Sequence, residues 1–447
     1  MNEEKGIRVT FYTLGCKLNQ AETESLAGQF SQAGFRLVPP NDVADIYIAN
    51  TCTVTHIADR KSRHWLRLAR RRNPEALIIA VGCYVQRVPQ ELVPLADLVL
   101  GNEEKRHLLE IVKGLPLPTS SSVIESAPLR HCEQGEALSP IKGITRIRSL
   151  IKIQDGCCSP CTYCIVPKVR PQEYSLPASQ IIGEIKGKVA MGYKEVILTG
   201  TKVGYYNDAV LSASEGSSAG LGNLIECILR DTDVERLRLS SLQPQELSPE
   251  FLALWKDRRL CRHFHLALQS GSDSVLQRMR RCYTLDDYRE AMGLIRKIIP
   301  GVAITTDIMV GFPGESDEEF EQSYHFCQQA GFANIHVFPF SPRPKTEAAK
   351  MPNQVKDRIK KERVQRMLEL SQSCRRSFYE QFLGQIMPVL WEKETDSGSG
   401  VYSGLTDNYI RVFTRSERPL TNKIAPVKLV RVHDRGMWGE SVSENPS

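Results

Sequence analysis

The 447-residue sequence has no apolar run approaching the ~18 residues that read as a membrane span. Its first residues, Met1-Asn2-Glu3-Glu4-Lys5, are acidic where a secretory leader is basic and then apolar. Both absences argue against a membrane partner and for a cytoplasmic chain with reduced thiols. A dominant charge of one sign is missing too. The 58 basic and 52 acidic residues leave a net +6, which permits a nucleic-acid partner without requiring one. Hydrophobic residues at 41% and charged residues at 25% fit a soluble globular chain, and the length suits about three domains.

Cysteine is plentiful, yet neither disulfides nor structural zinc accounts for it. The count is 13, an odd number in a long chain, which does not suit a disulfide framework. Structural zinc takes four closed ligands, commonly as two separated pairs, and no partner pair follows Cys157, Cys161 and Cys164 at that spacing. Those three form a C-x3-C-x2-C on the short loop Asp155 to Cys164, directly after the apolar run Leu150, Ile151 and Ile153. Iron–sulfur clusters commonly use four cysteines, so three on one loop can leave an iron open to a substrate or cofactor. Cys158 falls outside the spacing and reads as a packed neighbour. Cys132 has no cysteine near it and reads as a bystander.

Upstream, the pattern alternates strands with helices: strands at Arg8 to Thr13, Ala44 to Ala49 and Leu77 to Val81, and a helix from Glu22 to Ala33. This predicts a parallel α/β layer. Cys16, Cys52 and Cys83 each follow one of these strands, and ligand sites in open α/β sheets gather at the carboxyl ends of strands. A second three-cysteine cluster site is therefore expected. The run from Arg60 to Arg72 lines up Arg60, Arg63, Arg67 and Arg71 on one helical face. It is either a solvated face or a phosphate-binding one.

The expected domains are 1–115, an α/β unit; 116–142, a Pro- and Ser-rich linker; 143–375, six β/α units as a partial barrel; 376–440, a small antiparallel barrel; and 441–447, a tail. The barrel strands are expected near Leu150, Glu195, Arg236, His263, Ala303 and Ala333. A polar helix over 353–382 leads out of it. The last barrel is expected to use strands from Met387, Tyr409 and Val427. Tyr402, Tyr409 and Phe413 could stack on bases or fill its core.

The loop Asp155 to Cys164 resembles that of radical S-adenosylmethionine (SAM) enzymes, and Thr13 to Gln20, Asn50 to Thr55 and Gly82-Cys83-Tyr84 resemble the N-terminal domain of methylthiotransferases. His265 to Ser272, Met279-Arg280-Arg281 and Asp307 to Glu315 resemble the same family's barrel, and Gly404 to Tyr409 its RNA-binding TRAM domain. The resemblance implies an α/β fold: an N-terminal parallel domain, a partial (β/α)6 radical SAM barrel and a TRAM β-barrel. It also implies SAM and two [4Fe-4S] clusters. Cys157, Cys161 and Cys164 would hold the catalytic cluster, which cleaves SAM to a 5′-deoxyadenosyl radical. Cys16, Cys52 and Cys83 would hold an auxiliary cluster for sulfur delivery. Tyr163, Gly200 and Gln269 would lie against SAM.

The implied partners are the tRNA anticodon stem-loop, an electron donor and a sulfur source. The N-terminal motifs look most like the branch acting on N6-threonylcarbamoyladenosine. Sister branches act on N6-isopentenyladenosine or a ribosomal-protein aspartate, and a non-catalytic iron–sulfur RNA-binding or electron-transfer protein is the alternative of another class. One departure stands out: where relatives often carry an Arg-Gly-Arg-x-Arg-Ser-Arg-like run, this chain has Arg170 to Leu176 and keeps only Arg170 and Ser175 of it.

Overall fold

The computed structural model describes residues 6–115, 147–208, 220–396 and 398–442. The expected linker, Cys132 and most of the tail lie outside the described residues. In the first layer, five parallel strands, β1 (Arg8–Thr13), β2 (Arg36–Leu37), β3 (Ile46–Thr51), β4 (Leu77–Gly82) and β5 (Leu98–Leu100), stand in the order β2-β1-β3-β4-β5. Every residue of β3 is buried, as a central parallel strand with helices on both faces requires. Helix α1 (Lys17–Gln32) covers the Ile46 and Ile48 face with Leu26 and Phe30, and α2 (His56–Arg72) covers the Tyr47 and Ala49 face with Trp65 and Leu66. Trp65 also stacks on Tyr12, with centroids 4.7 Å apart and planes 7° apart.

The second layer is an open, curved parallel sheet. β6 (Arg148–Lys152) leads into a short antiparallel pair, β7 (Gln154–Asp155) with β8 (Tyr174–Ser175), whose connection carries the cysteine loop. β9 (Glu195–Thr199) and β10 (Arg236–Leu239) complete the order β10-β9-β6, and β11 (Ser241–Leu242), β12 (His263–Leu266), β13 (Ala303–Val310) and β14 (Asn334–Pro339) stand side by side. The single strand expected from Arg236 to Ser240 ends at Leu239, and the chain resumes pairing at Ser241 with β12 instead of β9. Among the described residues no further strand pairs with β6 or β14, the two ends of the curved sheet. Against β6, Ala21 of α1 meets Leu150 and Ile197, so the first layer packs directly on the second.

Helix Asp357–Glu380 leads into a closed barrel of β15 (Ile386–Glu394), β16 (Val401–Thr406), β17 (Arg411–Arg415), β18 (Ile424–His433) and β19 (Gly436–Ser441). Its pairs are antiparallel except β17 with β19, which run parallel. Three arginines dock it on the curved sheet. Arg236 donates to the carbonyls of Leu405 (2.9 Å) and Pro388 (2.8 Å), Arg238 to that of Asp407 (3.0 Å), and Arg262 to the Asp407 carboxylate (2.6 Å).

Candidate cofactor and substrate site

Cys16, Cys52 and Cys83 follow β1, β3 and β4, three adjacent strands, so their loops emerge side by side. Side chains knit those loops together. Asn19 donates to the carbonyls of Leu14 (2.8 Å) and Thr51 (3.2 Å), Asn50 to that of Asn19 (3.0 Å), and Thr51 to that of Val81 (2.7 Å). Gly15, at φ +102°, brings the first loop against the second: a Cβ there would lie 2.6 Å from the Cys52 Sγ. Cys16 and Cys83 are near enough that charge on either acts on Cys52, whose thiol burial pushes up to about 12. Cys16 retains accessible surface inside a crowded crevice, where burial also raises its thiol. Among the described residues no three Cys, His, Asp or Glu side chains close on a single ion. The fit to a polynuclear group rests on the donors themselves, three thiols at adjoining strand ends that need a cationic centre to become thiolates.

The second set lies on the β7–β8 connection. The Cys161 Sγ accepts from Arg281 (3.5 Å) and the Cys157 Sγ from the Ser159 amide (3.4 Å), while the Cys164 amide bonds the Cys161 carbonyl (3.1 Å). Burial pushes the Cys164 thiol up to about 12. Thr162 anchors the loop on the carbonyls of Met279 (3.2 Å) and Arg278 (3.0 Å). From the other side the 170–173 segment clamps it. The Cys157 amide donates to the Arg170 carbonyl (3.1 Å) and the Cys158 amide to Glu173 (2.6 Å), and a Cβ on Gly156 would lie 1.8 Å from the Gln172 carbonyl oxygen. The segment that departs from the family pattern therefore holds the cysteine loop. Cys158 itself is exposed, not packed.

Tyr163 packs beside Val275, Met279, Met309 and Phe312. Gly200 lies against Gln154, whose carbonyl a Cβ would approach to 2.8 Å. Gln154 in turn donates to the Gly156 carbonyl (2.9 Å), next to Cys157. Gln269 adopts φ +73° and joins β13 through its amide to the Asp307 carbonyl (2.8 Å), and its buried side-chain oxygen has no partner among the described residues. That unpaired acceptor is where a ligand donor fits.

Sequence reasoning missed a polar wall on the curved sheet. On the inner face of the curved sheet, Thr305 bonds His263 (3.1 Å) and His265 (3.0 Å), and His265 pairs with Asp307 (3.2 Å). His336 sits beside Asp307 in register and is exposed, so the wall faces open space. Lys17, next to Cys16, lies within reach of the charges on Asp307, Arg148, Arg238 and Tyr409. Tyr409 stacks on His263, centroids 4.5 Å apart, and Tyr402 is buried in the small barrel, so neither presents an exposed ring for base stacking. Phe413 is half-buried beside His433. Alternate polar residues on β12 and β13, in strands whose other face is apolar, were the available signal.

On α2, Arg60, Arg67 and Arg71 are exposed. Arg63 is half-buried and donates to the Tyr84 hydroxyl and to Glu91 (3.2 Å), so one of the four expected phosphate contacts is occupied within the first layer.

A family model described as "Radical SAM superfamily" matches residues 151–327, and one described as "Uncharacterized protein family UPF0004" matches residues 8–101. The threonylcarbamoyladenosine tRNA methylthiotransferase MtaB of Bacillus subtilis is 35% identical over 95% of this chain and 94% of its own length. That of Aquifex aeolicus is 37% identical over 91% and 96%. The tRNA-2-methylthio-N(6)-dimethylallyladenosine synthase of Syntrophotalea carbinolica is 31% identical over 97% and 100%. Among solved structures, the radical SAM methyltransferase TsrM of Kitasatospora setae aligns with a TM-score of 0.54 at 16% identity, covering 77% of this chain and 74% of that one.

Proposed function

The chain belongs to the radical SAM methylthiotransferase family, and from that premise we propose that it adds a methylthio group to C2 of N6-threonylcarbamoyladenosine next to the tRNA anticodon. The family implies a [4Fe-4S] cluster and SAM. In this reading Cys157, Cys161 and Cys164 hold that cluster, and Cys16, Cys52 and Cys83 hold a second. When bound, the first pair of cofactors supplies the radical that removes hydrogen from an unactivated carbon, chemistry beyond side-chain acids and bases.

The chain's own residues do the rest. Tyr163, Gly200 and the unpaired oxygen of Gln269 line the place for SAM. Arg281 steadies Cys161 and also reaches the Ala267 carbonyl (3.4 Å), linking the cysteine loop to the end of β12. The exposed arginines of α2 meet tRNA phosphates, and the small barrel supports the anticodon stem-loop. An electron donor, a sulfur source and a cytoplasmic location complete the reading. No helix among the described residues is long and apolar enough to cross a membrane.

The observation that carries the choice of nucleoside is the polar wall of His265, Thr305, Asp307 and His336, with Lys17 nearby. A threonylcarbamoyl group brings a carboxylate, a hydroxyl and a urea that such a wall can pair. A dimethylallyl group would cover this wall and the exposed His336 without offering either a hydrogen bond, which disfavours it against the threonylcarbamoyl group. The test presents reconstituted protein, SAM and reductant with anticodon stem-loops carrying one group or the other. Methylthiolation of the threonylcarbamoyl substrate alone is expected. Turnover of the dimethylallyl substrate alone transfers the protein to the sister reading represented by the Syntrophotalea relative.

A further inference from the structure

The most heavily bonded buried side chain at the join of the first two layers is Arg170, 6% exposed. Its Nη1 donates to Asp155 (2.7 Å) and Glu22 (2.9 Å), and its Nη2 to Glu22 (2.9 Å) and the Asn19 side-chain oxygen (3.2 Å). Its Nε points elsewhere, to the Cys83 Sγ at 3.3 Å. Its carbonyl accepts from the Cys157 amide at 3.1 Å. One residue therefore touches a cysteine of each set: its main chain holds Cys157, and its side chain reaches across the layers to Cys83. The residues it grips are placed to matter, since Asp155 precedes Gly156-Cys157, and Asn19 and Glu22 stand one and two turns into the helix that Cys16 caps.

The local charge count points the same way. Glu22 also pairs with Lys105 (2.5 Å) and Lys152 (3.0 Å), and Lys152 with Asp155 (2.6 Å). Three cations thus face two carboxylates. One positive charge is left in excess within hydrogen-bonding distance of the Cys83 Sγ.

We propose that Arg170 is a positioning residue that couples the two cysteine sets, its Nε hydrogen bond to Cys83 setting the reduction potential of the group held there and its carbonyl fixing the distance to Cys157. This rests on the reading that Cys16, Cys52 and Cys83 carry an iron–sulfur cluster. Hydrogen bonds to cluster sulfurs and nearby positive charge favour the reduced, more negative state. A lysine at this position keeps the charge but cannot reach three acceptors and the sulfur with one ammonium.

The test compares reconstituted wild type, Arg170→Lys and the charge-neutral pair Arg170→Gln with Glu22→Gln. Iron and sulfide are counted first. A wild type with a single cluster overturns the two-cluster reading and this inference with it. With two clusters present, an EPR-monitored redox titration separates them, because one signal responds to added SAM. The expected result is about a tenfold fall in the reduced-to-oxidised ratio of the SAM-insensitive cluster at a fixed potential, ~59 mV for one electron, with the SAM-responsive cluster unmoved. Selective loss of the SAM-insensitive cluster supports the inference as well. Unchanged potentials in both variants, equal shifts of both clusters, or loss of both clusters would each overturn it, and none of these touches the assignment of the cysteines in wild type.

Discussion

Glu195 is wholly buried, with Arg238 on both of its oxygens (2.8 and 3.2 Å) and Arg236 at 4.0 Å. Burial alone would raise its carboxyl, but Arg238, Arg148 and Arg236 outweigh that and hold it below the usual range. Because the folded value is depressed, the stability it contributes is full above the ordinary glutamate pKa of ~4.3 and is lost as the pH falls through the folded value. Glu195→Gln strands a buried guanidinium. Chemical denaturation at pH 7 should read a loss of ~3–5 kcal/mol, with a flatter acid limb than wild type.

The arginines of α2 divide in a testable way. Arg67→Gln with Arg71→Gln should lower the slope of log K against log salt for tRNA by up to ~1.8, at ~0.9 per phosphate contact, without changing thermal stability. An unchanged slope in a direct binding titration removes the phosphate-contact idea. Arg63→Gln should instead lower the melting temperature, since its partners are Tyr84 and Glu91. The placement of the six cysteines, three after adjacent strands and three on one loop, was legible in the sequence because spacing and strand ends are local properties. Arg170 could be seen only as a nearby charge, because its partner Glu22 lies 148 residues away and no periodicity encodes that meeting.

At the scale of elements, α1 carries more of the site than its sequence suggested. It begins at Lys17, five residues before the expected start, because Cys16 is its N-cap and makes no side-chain capping bond, so the Ser/Thr/Asp signal of a helix start is absent. It then presents Asn19 to the cysteine loops, Ala21 to the curved sheet and Glu22 to Arg170. Gly15 sets its approach. Gly15→Ala places a Cβ 2.6 Å from the Cys52 Sγ at a positive φ, and should roughly halve the iron per chain while SAM binding persists. Retention of full iron content would refute that role. The small barrel shows the opposite limit of sequence reading. β16 and β19 escaped notice because Gly404, Gly436 and Gly439 interrupt their alternation. They are glycines because a Cβ at each would come within 2.5, 2.2 and 3.0 Å of a neighbouring strand.

Across the whole molecule, the first layer and the curved sheet meet through α1, Arg170 and the Glu22 network, and the small barrel is tied to the sheet by Arg236, Arg238 and Arg262. The two cysteine sets and the polar wall therefore sit on one assembled body. The most direct test is a mass-spectrometric nucleoside profile of tRNA from a host lacking its own methylthiotransferases, expressing wild type, Cys157→Ala or Cys83→Ala. Under the proposed assignment, 2-methylthio-N6-threonylcarbamoyladenosine appears with wild type and with neither variant. A methylthio group on dimethylallyladenosine instead, or an unchanged profile from a wild type carrying both clusters, would contradict it.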